Sequence, residues 1–460
     1  MHRNIALSDF GNRHVKVLIL GAGYSGLGAA TYFHKNNFND FLVLEANDYI
    51  GGRVKSAQFA GETVSLGAGY IHLTETNHEV FRLAKRYELK MKKEDYSIKN
   101  VTFRNIEGGS IYSKETVQRD CEELQEKLKL LALNVENGKH KLDINLKQAL
   151  TDVGWKAHTE LKKAIEYFTL DFENGSEPES MSVKNFGFTG FFGTDYVVTD
   201  ERGYTHPLLE EVKPFKDKIL LKHRATIVEK LSNRKKYGVH LQNGDFFTAD
   251  YVLTTFSHAV LQSKQVKFIP ELPTWKTDAF KMLVMGHYSR IFMRFKEQFW
   301  DKSPYIMFVT NGGETCYHWT NYCREGLFPS TNILMATITG KASQKSQKQS
   351  DDEVKEELCH VLKRVYPNAT KPIEFMRHNF STDPLFMGAY SHHASGITFN
   401  DINALQHPVD QRLWFTGEYT ADYEWGYVHV AFELGQEQAK NILRCLNGYQ
   451  PAFVPECLKT

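Results

Sequence analysis

Gly21, Gly23 and Gly26 stand at GxGxxG spacing. Glycines at those intervals suit one task, which is holding a pyrophosphate against bare backbone. The first permits a tight turn, the second lets the chain approach the phosphates, and the third lets a helix pack closely on a strand. A helix starting there aims free N–H groups and the positive end of its dipole at the anion. Spacing alone is a weak signal, and the context strengthens it. An apolar, β-branched run over residues 15–20 precedes the motif, and an alanine-rich helical stretch follows. A second buried strand, FLVLEA, then ends on Glu45. An acid roughly 20 residues into such a unit accepts hydrogen bonds from ribose hydroxyls. The βαβ unit predicts a dinucleotide site, with an ordinary βα turn as the bland alternative.

The elements that carry this site belong to a large chain. It has 460 residues, too many for one ordinary core, so two or three domains are expected. Lys+Arg is 56 and Asp+Glu is 55, and the net charge of +1 argues against a nucleic-acid partner. Mean hydropathy is -0.43 and no long apolar run occurs, so no membrane span is expected. Aromatic residues reach 13%, which suits a chain that surrounds a flat or slender ligand. Cys121, Cys316, Cys323, Cys359, Cys445 and Cys457 are scattered without CxxC spacing, so neither a metal site nor a redox pair is expected. The given sequence shows no signal core, so it reads as cytoplasmic by default, or secreted if a signal peptide was removed. Sequons at Asn100, Asn174, Asn368 and Asn379 are a number that chance would give.

Residues 77–172 read mainly as helices with solvated charged faces. Residues 186–193 are a Gly/Phe-rich connector, and residues 219–252 alternate like strands with turns at SNRKK and QNGD. Residues 344–352 read as a polar loop before the helix DDEVKEELCHVLKRVY. The last third returns to a strand, LWFTGE, and then a helix. FTGE reads as a strand end entering that helix, a second anion site or an ordinary cap.

Beyond Glu45 come ANDYIGGRV, FAGETVSLGAGYIH, DERGY, ADYVLTTFSHAVL, LPTW, DPLFMGAYS and FTGEYTADYEWGYVH. In this order, over residues 15–446, they resemble the flavin-containing amine oxidases and, within them, the polyamine oxidases. The resemblance implies an α/β fold: a Rossmann-like FAD-binding domain with an inserted α+β substrate-binding domain, of glutathione-reductase-like type. It divides the chain into FAD-binding parts at 1–76, 199–268 and 385–460, and substrate-domain parts at 77–198 and 269–384. It implies FAD held by Gly21, Ala22, Gly23, Ser25 and Gly26, by Glu45 and Ala46 at the ribose, and by Gly52 and Arg53 at the pyrophosphate. Gly67, Ala68, Gly69 and Tyr70 match the segment along the isoalloxazine. Ile227 matches the adenine contact, Glu418 the ribityl and pyrophosphate acid, and Gly426, Tyr427 and Val428 the pyrimidine edge.

Amine oxidation needs a neutral nitrogen, a C–H bond aimed at the flavin and a dry slot, and no protein nucleophile. Tyr390 and Tyr427 match the family's aromatic pair above the flavin. Polyamines carry ammonium groups remote from the reacting carbon, which favours carboxylates and aromatics along a tunnel. Glu177 matches a tunnel-facing position, with Glu173 and Glu179 beside it. His72 matches a histidine of animal-type polyamine oxidases, able to tune amine protonation near neutral pH.

Four positions depart from the pattern. Phe380 and Tyr70 stand where tryptophan is common, and His258 breaks the cofactor strand motif with no role attached. Arg290 stands where the family has a lysine that reaches flavin N5 through a water. Arginine is larger, planar and always charged, so it either keeps a positive charge there or impairs oxygen use. The leading expectation is an FAD-dependent oxidase that turns a polyamine and O2 into an aldehyde or imine, a shorter amine and hydrogen peroxide. The alternatives are an oxidase of another amine or an amino acid, with Arg290 as carboxylate clamp, and a flavoprotein of impaired activity. A histone-demethylase role is disfavoured, because the chain lacks room for the extra domains. The sequence leaves the oligomeric state open.

Overall fold

A computed structural model of the chain describes residues 13–138, 143–184, 186, 193–231, 236–310 and 317–449. The ends of the chain, Cys316, Cys457, most of the expected connector and most of the SNRKK turn lie outside the described residues.

The strand Arg13–Leu20 is continuously apolar and buried over Val17, Leu18, Ile19 and Leu20, as a strand covered on both faces requires. It sits mid-sheet. Phe246–Thr254 and Phe41–Leu44 flank it, both parallel to it, and Ile219–Leu220 follows at that edge. Phe246–Thr254 is long enough to serve two partners along one edge. Its first half pairs with the antiparallel Lys236–Leu241, and its last residues pair in parallel with Leu413–Phe415. The outer strands are Ala225–Leu231 and Lys267–Ile269. Of the stretch expected to alternate over residues 219–252, residues from 225 on make an antiparallel arm, whereas Ile219–Leu220 pairs in parallel at the opposite edge.

Helices cover both faces of this sheet, Thr274–Lys281 and Phe399–Gln406 among those on one, Tyr24–Lys35 and Val428–Leu446 among those on the other. Tyr24–Lys35 and Val428–Leu446 approach so closely that a Cβ at Gly28 would overlap the Phe432 carbonyl, and one at Gly435 the Ser25 carbonyl. Phe33, Leu27, Phe432, Ala439 and Ile442 fill the space beneath. Burying each large apolar side chain is worth about 1.5–3 kcal/mol.

The second layer is a six-stranded sheet ordered Glu374–Arg377, Tyr288–Arg294, Ile333–Thr339, Tyr317–Asn321, Tyr305–Val309 and Val101–Asn105. Helices Lys114–Glu136, Leu146–Asp152 and Glu160–Glu166 cover one face of it, through a core that includes Leu124, Trp155, Ile165 and Met307. Asp351–Val365 packs against another part of the sheet. It opens on a capping box of Ser350 and Glu353, which satisfies two orphan donors reciprocally.

Several expectations need correcting. The helix Glu79–Arg86, placed by sequence in the substrate domain, buries Val80, Leu83 and Ala84 in the nucleotide-domain core. Val101–Asn105 is a strand inside the stretch read as helical. Residues 344–346 end a short helix, Gly340–Ser346. FTGE does not run into the last helix, because Glu418–Thr420 is a 3-10 turn and the helix begins at Val428. Among the described residues no helix is long and apolar enough to cross a membrane.

Candidate active site

The nucleotide turn has the geometry that its glycines require. Gly21 sits at φ 116°, and a Cβ there would overlap the Thr255 hydroxyl. Gly26 lies against the Gly21 carbonyl. At Gly23 a Cβ would meet nothing within 4 Å, so the space above it is open to a ligand. Gly23 also caps its helix without any side-chain hydrogen bond, which leaves the first N–H groups free for an anion.

Glu45 is buried. One of its oxygens accepts from the Ala22 N–H at 2.6 Å and the other from the Asn47 N–H at 2.8 Å. The carboxylate therefore ties the strand end to the turn. Arg53 Nη1 donates to Glu418 Oε1 at 2.7 Å and to the Ala389 carbonyl at 2.8 Å. The Ser391 hydroxyl donates to the other oxygen of Glu418.

Gly21, Gly23, Glu45, Arg53 and Glu418 line one end of a cavity of about 630 Å³, whereas Ala22 and Gly26, expected at the cofactor, stand behind its lining. Ser25, Ala46 and Gly52 line it too. Ile227 does not. A bulge between Ala225 and Ile227 breaks the strand's alternation, and Ala225, Arg224 and Val266 face that end instead.

Midway, Gly67, Ala68, Gly69 and Tyr70 form one wall, with Arg290 behind them. The guanidinium is buried. Nη1 donates to the Gly67 carbonyl at 2.8 Å, Nη2 to the Tyr322 hydroxyl at 2.5 Å, and Nε to the Met335 sulfur at 3.3 Å. A Cβ on Gly69 would overlap Nη1, so only glycine fits beside it. Arg290 thus clamps the wall to the six-stranded sheet. These bonds use three of its five N–H groups and hold the guanidinium in the wall. Phe380 packs edge-on against Phe386 next to Gly67.

The far end is aromatic and acidic. Tyr70, Tyr96, Phe172, Tyr288, Tyr390 and Tyr427 line it. Burial raises the hydroxyl pKa values of Tyr70, Tyr288, Tyr390 and Tyr427, so these groups stay neutral. Glu173 and Asp195 supply the charge. A single π-helical turn, Tyr167–Asp171, followed by Gly175 in the left-handed region, swings Phe172 and Glu173 into the chamber. Burial pushes the Glu173 carboxyl up, His72 opposing it. Tyr390 donates to the Glu173 carbonyl at 2.8 Å.

Glu177 does not line the cavity. Its Oε1 accepts from the Lys341 N–H at 2.8 Å, at the start of Gly340–Ser346. The sequence motif located the acidic stretch, and the π turn decided which of its acids faces inward. The sequon at Asn174 likewise falls on the cavity wall, where Asn174 donates to the Leu170 carbonyl.

His72 Nδ1 lies 2.9 Å from Asp195 Oδ2, and its ring is 5.0 Å from that of Tyr427. Burial lowers its pKa, but the Asp195 hydrogen bond and charge, with Glu173 behind them, outweigh burial and raise it. His78 stacks on His429 at 4.0 Å and is pulled down to about 4, first by burial and then by that neighbour. Among the described residues His258 finds no hydrogen-bond partner for either ring nitrogen, and burial holds it neutral.

The sequence reading missed Asp195, Tyr96, Phe172, Tyr288 and Tyr322. Each comes from an element whose facing depends on tertiary packing, and Asp195, just before the strand Tyr196–Val198, carries no motif.

A dinucleotide lying along the cavity would bring a redox-active ring beside whatever cation the acids attract, which is the layout of a dinucleotide-dependent oxidoreductase. The family description "Flavin containing amine oxidoreductase" matches residues 207–443, and a Rossmann-like NAD(P)-binding domain matches residues 19–87. The chain belongs to the flavin-containing amine oxidoreductases and is an FAD-dependent amine oxidase. It is 28% identical to Polyamine oxidase 1 of Zea mays over 94% of this chain and 90% of that one. It is 27% identical to Polyamine oxidase 6 of Oryza sativa subsp. japonica, over 95% and 92%. Among solved structures, a putrescine oxidase redesigned in its cofactor binding shares the fold. The TM-score is 0.75 at 19% identity, covering 94% of this chain and all of that one.

The residues fit FAD. The open space over Gly23, the uncapped helix start, and the polar Glu45 and Arg53–Glu418 groups suit a ribose and pyrophosphate, and Ala225 and Val266 with the polar Arg224 and Gln265 beside them suit an adenine. When bound, FAD supplies the two-electron acceptor for the substrate's hydride. The chain's own contribution is binding, orientation and exclusion of water.

Proposed function

We propose that this protein oxidises polyamines, giving an aldehyde or imine, a shorter amine and hydrogen peroxide. The observation that carries this reading is the pairing of an aromatic chamber with two carboxylates, Glu173 and Asp195. Aromatic faces receive methylene spacers and ammonium groups alike. Glu173 offsets the loss of water around a remote ammonium, which a monoamine slot does not need, while Asp195 is paired with His72. Tyr390 and Tyr427 hold the reacting carbon, His72 meets the amine, and Glu173 takes a remote ammonium. The names of the two plant relatives support the same substrate class.

The alternative of an amino acid substrate required Arg290 to be free, and its three hydrogen bonds speak against it. Peroxide release would be measured with spermine, spermidine, their acetyl forms, a monoamine and amino acids. Polyamines are expected to lead in kcat/KM. Equal or better turnover of a monoamine or an amino acid overturns the substrate class.

A further inference from the structure

Resting on that reading, we infer that Asp195 is a positioning residue that makes His72 the acceptor of the substrate's ammonium proton. Asp195 Oδ2 lies 2.9 Å from Nδ1 of His72, and Asp195 Oδ1 also accepts from the Leu73 N–H at 3.2 Å. The carboxylate is thereby fixed to the backbone beside the ring it orients. A carboxylate facing Nδ1 requires the N–H there, which leaves Nε2 with its lone pair. His72 lines the chamber with 27% of its side chain exposed, so Nε2 is the nitrogen that meets a ligand.

The groups around His72 make the same case from every side. Asp195 faces it from the segment before Tyr196–Val198, and Glu173 from the turn after the π-helical residues. Tyr427 and Tyr70 stand at 5.0 and 5.9 Å between ring centres. His78 holds the His72 carbonyl through Nε2 at 2.9 Å, and with its pKa pulled down to about 4 it adds no positive charge at neutral pH. Among the described residues two acids and no cation face the imidazole, so an imidazolium is stabilised as it forms.

The step is a single proton transfer. A substrate amine arrives as an ammonium. One of its N–H protons moves to Nε2 of neutral His72, giving the neutral amine and an imidazolium paired with Asp195. No carbon bond changes and no electron moves. The amine lone pair is then available to support loss of the adjacent hydride in the family's established oxidation. His72 returns its proton to solvent after product leaves. This is the division of labour seen wherever a carboxylate orients a histidine base.

The experiment follows anaerobic bleaching of the flavin by spermine or spermidine across pH, in the unsubstituted protein, Asp195→Asn and Asp195→Glu. His72 accepts a proton only when neutral, so the rate falls at acid pH through its titration. Without the carboxylate that titration moves down, so the acid limb of Asp195→Asn is expected to shift to lower pH by about one unit or more. The plateau rate falls as well, because the base is weaker, and Asp195→Glu restores the limb. A merely structural role lowers the rate and leaves the limb in place, which overturns the proposal.

A second readout needs no turnover. In 15N-histidine-labelled protein, the His72 resonance is the one missing from His72→Gln. Its titration midpoint is expected to be lower in Asp195→Asn, and an unchanged midpoint overturns the proposal. If no amine bleaches the unsubstituted protein at any pH, the substrate reading itself fails. An unmoved limb in a working enzyme overturns the proton-transfer assignment alone.

Discussion

Arg53 and Glu418 meet at 2.7 Å across 365 residues of sequence. The first belongs to the segment after the strand Phe41–Leu44 and the second to the last third of the chain, so this ion pair closes the cofactor cradle. Glu418 is almost fully buried, whereas Arg53 keeps 24% of its side chain exposed. Removing either partner leaves the other charge in a partly dry place. Glu418→Gln keeps the shape and removes the charge. It is expected to weaken FAD binding about ten- to a hundredfold, or about 1.4–2.8 kcal/mol. The ratio of flavin to protein absorbance after dialysis checks this, and full retention of flavin would contradict it.

Glu173 and Glu177 should separate cleanly. Glu173→Gln is expected to raise KM for a polyamine about tenfold and to change KM for a monoamine little, because only the remote ammonium loses its partner. Glu177→Gln acts on the start of Gly340–Ser346, so it is expected to lower Tm slightly, by about 0.5–1 kcal/mol of stability, with KM nearly unchanged. Steady-state kinetics with both substrates, beside thermal melts, decide the matter. A larger KM effect at position 177 would reverse the assignment.

Arg290 is a clamp in this fold, and substitutions there should show two effects at once. Arg290→Met leaves the Gly67 carbonyl and the Tyr322 hydroxyl without their donor, at a cost of about 2–4 kcal/mol. It also removes the fixed positive charge beside the cavity wall, so peroxide formation falls. Arg290→Lys keeps the charge on a compact, hydrated ammonium and vacates room for a water. It is expected to melt earlier than the unsubstituted protein yet regain its yellow colour faster in oxygen. Stopped-flow mixing with oxygen checks the second part, and an unchanged rate would detach Arg290 from oxygen use.

Lys276 is wholly buried, and its ammonium donates to the carbonyls of Ala404, Leu405 and His407 at 2.6, 3.0 and 2.6 Å. It caps the end of the helix Phe399–Gln406 from inside the protein. Lys276→Met fills the volume but leaves those carbonyls unpaired, so about 2–5 kcal/mol of stability should be lost. Urea denaturation with the flavin removed measures it. A loss under 1 kcal/mol would mean that the helix end finds other donors.

What could be read in advance follows from how local each signal is. Gly21, Gly23, Gly26 and Glu45 lie within one βαβ unit, whose spacing dictates its geometry, so the cradle was legible. Arg53 and Glu418 were each legible as motif members, but their pairing was not, because nothing local joins them. Glu173 was hidden by a π turn, which adds a residue to the helical register and changes which acid faces inward. Ala225 was hidden from view by a bulge in the same way. Asp195 has no motif, and its role arises only when residue 72 is brought opposite it by the pairing of Tyr70–Ile71 with Tyr196–Val198.

The central claim is that an FAD held in this cradle is reduced by a polyamine held in this chamber. Anaerobic mixing of the purified yellow protein with spermine, spermidine, a monoamine and an amino acid, followed by the loss of flavin colour, tests it most directly. The account predicts complete bleaching by spermine or spermidine, at least tenfold faster at equal concentration than by the others. Protein that carries FAD yet stays yellow with every polyamine, or that an amino acid bleaches first, would contradict it.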